Sequence, residues 1–100
     1  MSLSDITAGM KERIEKNGAI PGKKVVFDFG EDGAVLIDGT GETPVVSNDG
    51  SAADCRIKVS MADFTEIAAG RQNAQMAFMM GKLKVEGDMS IAMQLGKILG

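Results

Sequence analysis

NAQMAFMMGKLKVEGDMSIAMQL, residues 73–95, is the stretch on which the fold turns. Asn73 is a favourable N-cap, and the residues from Ala74 to Met80 carry no charge and no helix breaker before Gly81. A short helix therefore starts at Asn73 and stops at Gly81. From Met76 onward it is apolar all round, so it is expected to be enclosed by protein or ligand. Lys82, Lys84 and Glu86 then alternate with Leu83 and Val85, the period of a half-buried strand over residues 82–86. Asp88 caps a last helix whose apolar side is Met89, Ile91, Ala92, Leu95, Ile98 and Leu99.

Upstream, Ser60 and Asp63 make a capping-box-like start to another helix that runs to about residue 69 and ends at Gly70. Its inward residues are Met61, Phe64, Ile67 and Ala68. Before it lies a strand over residues 55–59, with Cys55, Ile57 and Val59 inward and Arg56 and Lys58 outward. Residues 44–48 form a short strand followed by the turn signal Asn48-Asp49-Gly50. Residues 25–29 and 34–38 read as a hairpin. With a three-residue loop over 31–33, Phe29 faces Val35 and Phe27 faces Ile37. That register places Val25, Phe27, Phe29, Val35 and Ile37 on one face and Asp28 and Asp38 on the other. The chain opens with a helix over residues 4–17. Leu3, Ile6, Met10 and Ile14 make its stripe, Ser4 is the expected cap, and Gly18 and Pro21 end it. The order is helix, four strands, helix pair, strand, helix. This predicts an α+β domain, a five-stranded mostly antiparallel sheet with helices packed on one face.

One hundred residues, 44% apolar and 25% charged, make one domain over residues 1–100. No apolar run approaches the roughly 20 residues that span a bilayer. The first ten residues lack the pattern of a secretory signal, and the last three are not a peroxisomal address, so the expected location is cytoplasmic. Cys55 is the single cysteine and there is no His, which removes the commonest metal ligand and general base together. No catalytic residue, metal or cofactor is expected. Asp28-Phe29-Gly30 spells a kinase magnesium motif without the remaining machinery. Asp28, Glu31 and Asp32 do not have calcium-loop spacing. A net charge of −3, with neither Trp nor Tyr, argues against a nucleic-acid partner.

Two features have two readings each. Arg56, Lys58, Lys82 and Lys84 alternate on two strands. They form either a cationic patch for an anionic head group or membrane surface, or an ordinary solvated sheet face with Asp28, Asp38 and Glu86 as partners. Of eight methionines, Met76, Met79, Met80, Met89 and Met93 fall close together. They are either plain core or a malleable ligand pocket, because unbranched, polarizable side chains repack easily.

Residues 73–95 resemble the signature of the sterol carrier protein 2 (SCP2) family, which runs roughly N-P-Q-x-A-F-x-x-G-K-L-K-[IV]-x-G-[DN]-M-x-[LI]-A-M-x-L. Upstream, ADCRI at 53–57 is similar to a family strand, Asp63-Phe64 to a pair on a family helix, and VFDFGEDG at 26–33 to hairpins of short prokaryotic members. The resemblance spans about residues 25–99. It implies a sheet covered by helices around a hydrophobic tunnel, and binding of fatty acids, acyl-CoA, phospholipids, sterols or isoprenoid lipids without covalent chemistry. Under that fold Phe27, Phe29 and Ile37 face the helical layer, and Phe64, Ile67, Met76, Met79, Met80, Leu83, Met89 and Met93 line or gate the cavity. The implied partners are a lipid or fatty acyl ligand and transient contact with a membrane surface. Two departures stand out. Met80 replaces a Gln of many members, which implies a more apolar or differently oriented ligand, and Ala74 replaces the Pro. A different class also fits the pattern, an accessory module whose apolar groove holds a protein partner.

Overall fold

The computed structural model describes residues 2–50 and 53–94. Helix α1 spans Leu3–Asn17 and is capped one turn-fraction earlier than the expected Ser4. Ser2 is the N-cap because Asp5 stands three residues on. The Ser2 hydroxyl accepts from Asp5 N–H at 3.2 Å, and the Asp5 carboxylate accepts from Ser2 N–H at 3.1 Å, a complete capping box. Ile6, Met10 and Ile14 are buried as their spacing requires. Thr7 is also buried, donating to Leu3 O at 2.8 Å and accepting from Asn48 Nδ2 at 2.9 Å.

Five strands follow: β1 Lys24–Asp28, β2 Ala34–Asp38, β3 Val45–Ser47, β4 Cys55–Val59 and β5 Leu83–Gly87. Their order in the sheet is β3-β2-β1-β4-β5, with β1 and β4 parallel and the other neighbours antiparallel. The helices cover the face that carries Val25, Phe27, Val35, Ile37, Cys55, Ile57 and Leu83, all buried.

The hairpin register differs from the expected one by two residues: Phe27 pairs with Val35 and Val25 with Ile37. The loop is longer than three residues. A single 3-10 turn over Gly30–Asp32, with Gly30 at φ +68°, lets Phe29 N–H donate to Gly33 O at 2.9 Å. A shift of two preserves side-chain parity, so the faces stay as expected although the pairs do not. The acidic face is also less clean than expected. Val26 and Leu36 share it with Asp28 and are buried. The chain leaving β3 turns onto this side, where Gly50 rests on Ala34 and its carbonyl accepts from Arg56. Arg56 in turn pairs with Asp28 at 3.0 Å.

Helices α2 Met61–Ala68, α3 Ala74–Met79 and α4 Met89–Met93 complete the layer. Ser60 caps α2 by accepting from Asp63 N–H at 3.0 Å, and Asn73 caps α3 by accepting from Gln75 N–H at 2.8 Å. Both helices end in Schellman motifs. Arg71 and Gly70 N–H groups close on Glu66 and Ile67 carbonyls, and Lys82 and Gly81 on Ala77 and Phe78. Leu95, Ile98 and Leu99, assigned to the last helix by spacing, lie outside the described residues, as does the Ala92 side chain. The rings of Phe27 and Phe29 each meet Phe64 edge-on at 5.3 Å, locking α2 onto β1.

Local hydrogen bonds set the acid response of this fold. Asp5 (held by Ser2), Asp28 (by the Gly30 N–H), Asp38 (by Thr40), Glu66 (by Arg71) and Asp88 (by Ser90) all lie below their ordinary values. The folded chain therefore binds protons less readily than the unfolded one. The stability they contribute is complete above the ordinary values, 3.8 for Asp and 4.5 for Glu, and is lost as pH falls below them. The thermal midpoint should hold steady down to about pH 5 and then drop. A midpoint unchanged well below pH 4 in a circular-dichroism series would show that these bonds carry nothing.

Candidate functional site

Packing of α1 on α2 leaves an apolar cleft of about 310 Å³. Ile6, Gly9 and Met10 line it from α1, and Phe64, Thr65, Ala68 and Ala69 line it from α2 and its C-cap. Gly9 lines the space. A Cβ built there meets nothing within 4 Å, so the middle of the helix stands off its neighbour. Asp5, Arg13 and Arg71 stand around the cleft. Arg13 donates to Ala68 O at 2.9 Å, tying the two helices together. Arg71 pairs with Glu66 at 2.7 Å, which holds the Glu66 carboxyl below and the guanidinium above their usual values. Arg71 and Glu66 are both well exposed, so this pair adds little stability.

The residues expected to form the site separate into two groups. Phe27, Phe29, Ile37, Phe64, Ile67 and Leu83 are buried together between sheet and helices. Met76, Met79, Met80, Met89 and Met93 are exposed, Met79 by 79% and Met93 by 81%, and Phe78 joins them. The helix after Asn73, expected to be enclosed by protein or ligand, is not enclosed by the protein. Only Ala77 of α3 is buried. A six-residue helix capped at both ends is held by its caps, by Ala77 and by the half-buried Ala74, so its outer side need not be covered. Of the expected set, Phe64 alone lines the α1–α2 cleft. Gly9, in mid-helix at a cost of about 1 kcal/mol relative to Ala, is the sequence signal that marked it.

A second hollow of about 420 Å³ opens beside Asp28, Phe29, Gly30, Lys58, Val59, Ser60 and Lys82. The outward cations of β4 and β5 are not a uniform patch. Arg56 is paired with Asp28, and Lys58 with Glu86 at 2.8 Å, so the solvated-face reading holds for these two. Asp38 turns instead to the Thr40 N–H at 2.9 Å. Cys55 is wholly buried, and burial pushes its thiol up, away from the reactive thiolate. Among the described residues no group of three or more His, Cys, Asp or Glu comes together, and no helix is long and apolar enough to cross a membrane.

The architecture is a mixed sheet covered on one side by helices, with an apolar cleft between two of them. The family model described as the SCP-2 sterol transfer family matches residues 5–100, and the chain belongs to that family. It is 34% identical over 90 residues to non-specific lipid-transfer protein-like 1 of Caenorhabditis elegans, covering 89% of this chain and 76% of that protein. It is 32% identical over 96 residues to sterol carrier protein 2 of Homo sapiens, covering 86% of this chain but 18% of that protein. The chain thus spans less than a fifth of the human relative. The solution NMR structure of palmitated SCP2L2 from Aedes aegypti matches with a TM-score of 0.73 at 19% identity, over 99% of this chain and 95% of that one. At that identity the likeness is one of fold.

Proposed function

We propose that the chain binds and carries a lipid with a long apolar tail, without covalent chemistry, in the cytoplasm. The observation that carries this reading is membership of the SCP-2 sterol transfer family over residues 5–100. The names of the nematode and human relatives support a lipid, and the palmitated mosquito protein supports an acyl chain. The α1–α2 cleft adds a place of suitable character, apolar in its walls and open at one side. The free, buried Cys55 suits a reducing compartment.

On this reading Phe64 is the wall residue that the tail meets in the cleft, and Phe27, Phe29, Ile37, Ile67 and Leu83 are the packed layer behind it. Met76, Met79, Met80, Met89 and Met93 are its gate, unbranched side chains that fold over ligands of differing shape. Met80 stands where many family members carry Gln, which favours a ligand apolar along that side. The driving force is desolvation. Each buried methylene contributes about 0.8 kcal/mol, so ten supply about 8 kcal/mol, offset in part by the cost of association.

Affinity for straight-chain fatty acids should therefore rise about fourfold per added carbon until the site is full. Displacement of a fluorescent fatty acid across a chain-length series measures this. Met79→Asp and Met93→Asp put charge into the gate and should weaken the longest chains most. An affinity independent of chain length would remove the desolvation mechanism and with it the reading.

A further inference from the structure

We infer that strand β5 is the seam of a two-fold homodimer, joining two copies of the chain edge to edge into one continuous sheet. β5 is an outer strand of the sheet and is five residues long. The outer strand at the other margin, β3, is three residues long, follows Pro44 and is flanked by α1, all ordinary ways of closing an edge. The hydrogen-bond ladder shows which groups β5 leaves free. Phe29 N–H donates to Gly33 O and Gly39 N–H to Lys23 O, so odd-numbered residues of β1 bond to β2 and even-numbered ones to β4. Carried through the next two registers, this aims the backbone of Arg56 and Lys58 at β5, and that of Glu86 and Lys84 back at β4. Asp88 N–H, donating to Asp54 O at 3.1 Å, fits the same phase. The N–H and C=O groups of Leu83 and Val85 therefore point outward, with no backbone partner among the described residues.

Side chains decide what pairs there. Residues 82–88 read Lys-Leu-Lys-Val-Glu-Gly-Asp, a charge pattern that mirrors itself with opposite sign about Val85. In an antiparallel seam centred on Val85, that residue exchanges both backbone bonds with its counterpart in the second copy. Lys84 then faces Glu86 of the second copy, and the two-fold repeats the pair. These positions fall between hydrogen-bonded pairs, where facing side chains come closest. Lys82 likewise falls opposite Asp88, whose carboxylate also accepts from Ser90 N–H at 2.9 Å. Within its own chain Lys84 stands opposite Lys58 and has no ion-pair partner among the described residues. Glu86 of the second copy supplies one while keeping its own Lys58 at 2.8 Å. Lysines close an edge when no acid answers them, and here the mirrored acids answer both.

The apolar surface lies where this seam needs it. Among the described residues, every large exposed apolar side chain except Val45 belongs to α3, its C-cap or α4. Both helices pack on β5. The two-fold axis of an antiparallel seam stands normal to the sheet and keeps both helical layers on one side of it. It therefore sets α3 and α4 of the two copies across the axis from each other. Met76, Met79, Met80, Met89 and Met93 thus flank the seam, and methionine is enriched in such interfaces.

Sedimentation velocity over a concentration series tests this. At high concentration the chain should sediment as a species of twice its 10.5 kDa. Lys84→Glu sets like charges against each other at both symmetric pairs and should weaken dimerisation about tenfold. The Lys84→Glu/Glu86→Lys double variant restores opposite charges across the seam and should recover most of that loss. Val85→Pro removes the central donor from an edge position that the chain's own sheet does not use, and should give a monomer that circular dichroism shows to be folded. If Val85→Pro fails to fold, the charge swap still decides. A chain that stays monomeric up to about 1 mM overturns the inference. So does a dimer indifferent to Lys84→Glu, one weakened equally by the single and the double variant, or a folded Val85→Pro dimer. A monomer that instead binds lipid vesicles overturns it in favour of a bilayer on the same face. Fatty-acid uptake is read separately: a dimer without uptake would uphold the seam while sinking lipid carriage, and a monomer with uptake would do the reverse.

Discussion

Replacing Phe64 by alanine is expected to lower folding stability by about 3–5 kcal/mol, the range for removing a buried aromatic ring. Phe64 is 4% exposed, sits on the inward side of α2, and is the ring that both Phe27 and Phe29 meet edge-on. Its loss leaves a cavity and deprives two further aromatics of their contact, each contact being worth about 0.5–1.5 kcal/mol beyond area burial. Small domains hold only about 5–15 kcal/mol in total, so the variant should unfold at far lower urea. Phe64→Leu, which refills most of the volume, should lose well under half as much. A Phe64→Ala loss below about 1 kcal/mol would mean that the three rings do not organise the contact between helix and sheet.

The second large effect is expected at Gly87, at the end of β5 opposite Cys55. Its backbone lies at φ +102°, where a side chain is strained, and a Cβ there would strike the carbonyl oxygen of Asp54. That same carbonyl accepts the Asp88 N–H at 3.1 Å, fixing the step from β5 into α4. Gly87→Ala should therefore cost about 3 kcal/mol, strain and steric displacement together. Gly9 makes the contrasting case. It is helical, with open space around its Cβ position, and Gly9→Ala should raise stability by up to about 1 kcal/mol. Urea denaturation of the two variants side by side checks the pair. Equal and small effects would contradict the close backbone approach between β5 and the segment before β4.

Much of this architecture is legible in the residues because each element has a local reason. Alternation assigns Cys55, Ile57 and Val59 to the helical side, and the structure buries all three. Gly70 and Gly81 end their helices at the positions their left-handed backbone requires. The strand faces of the hairpin follow from parity, whereas its register depends on how Gly30-Glu31-Asp32-Gly33 closes. Two loop lengths of the same parity satisfy the same pattern, which is why the pairing came out two residues away. The N-cap falls on Ser2 rather than Ser4 because the reciprocal acceptor is Asp5, three residues after Ser2.

The candidate site is less legible, since it depends on contacts between distant segments. The α1–α2 cleft arises from the separation of two helices 55 residues apart in sequence at the Arg13–Ala68 bond, and only mid-helix Gly9 hints at it. Apolarity identifies Met76, Met79 and Met80 as notable, yet it cannot tell an enclosed helix from one that displays its outer side. The fully buried residue of α3 turns out to be the small Ala77. Val26 and Leu36 are buried by a chain crossing that no local periodicity announces.

Native mass spectrometry of the purified full chain, followed by organic extraction, tests the central claim most directly. Lipid carriage predicts a one-to-one adduct that extracts as a lipid with a long apolar tail, and an emptied chain that takes up fatty acid again. A chain that arrives empty and still takes up no fatty acid or acyl-CoA would contradict it, leaving the cleft and the exposed methionines without a lipid to hold.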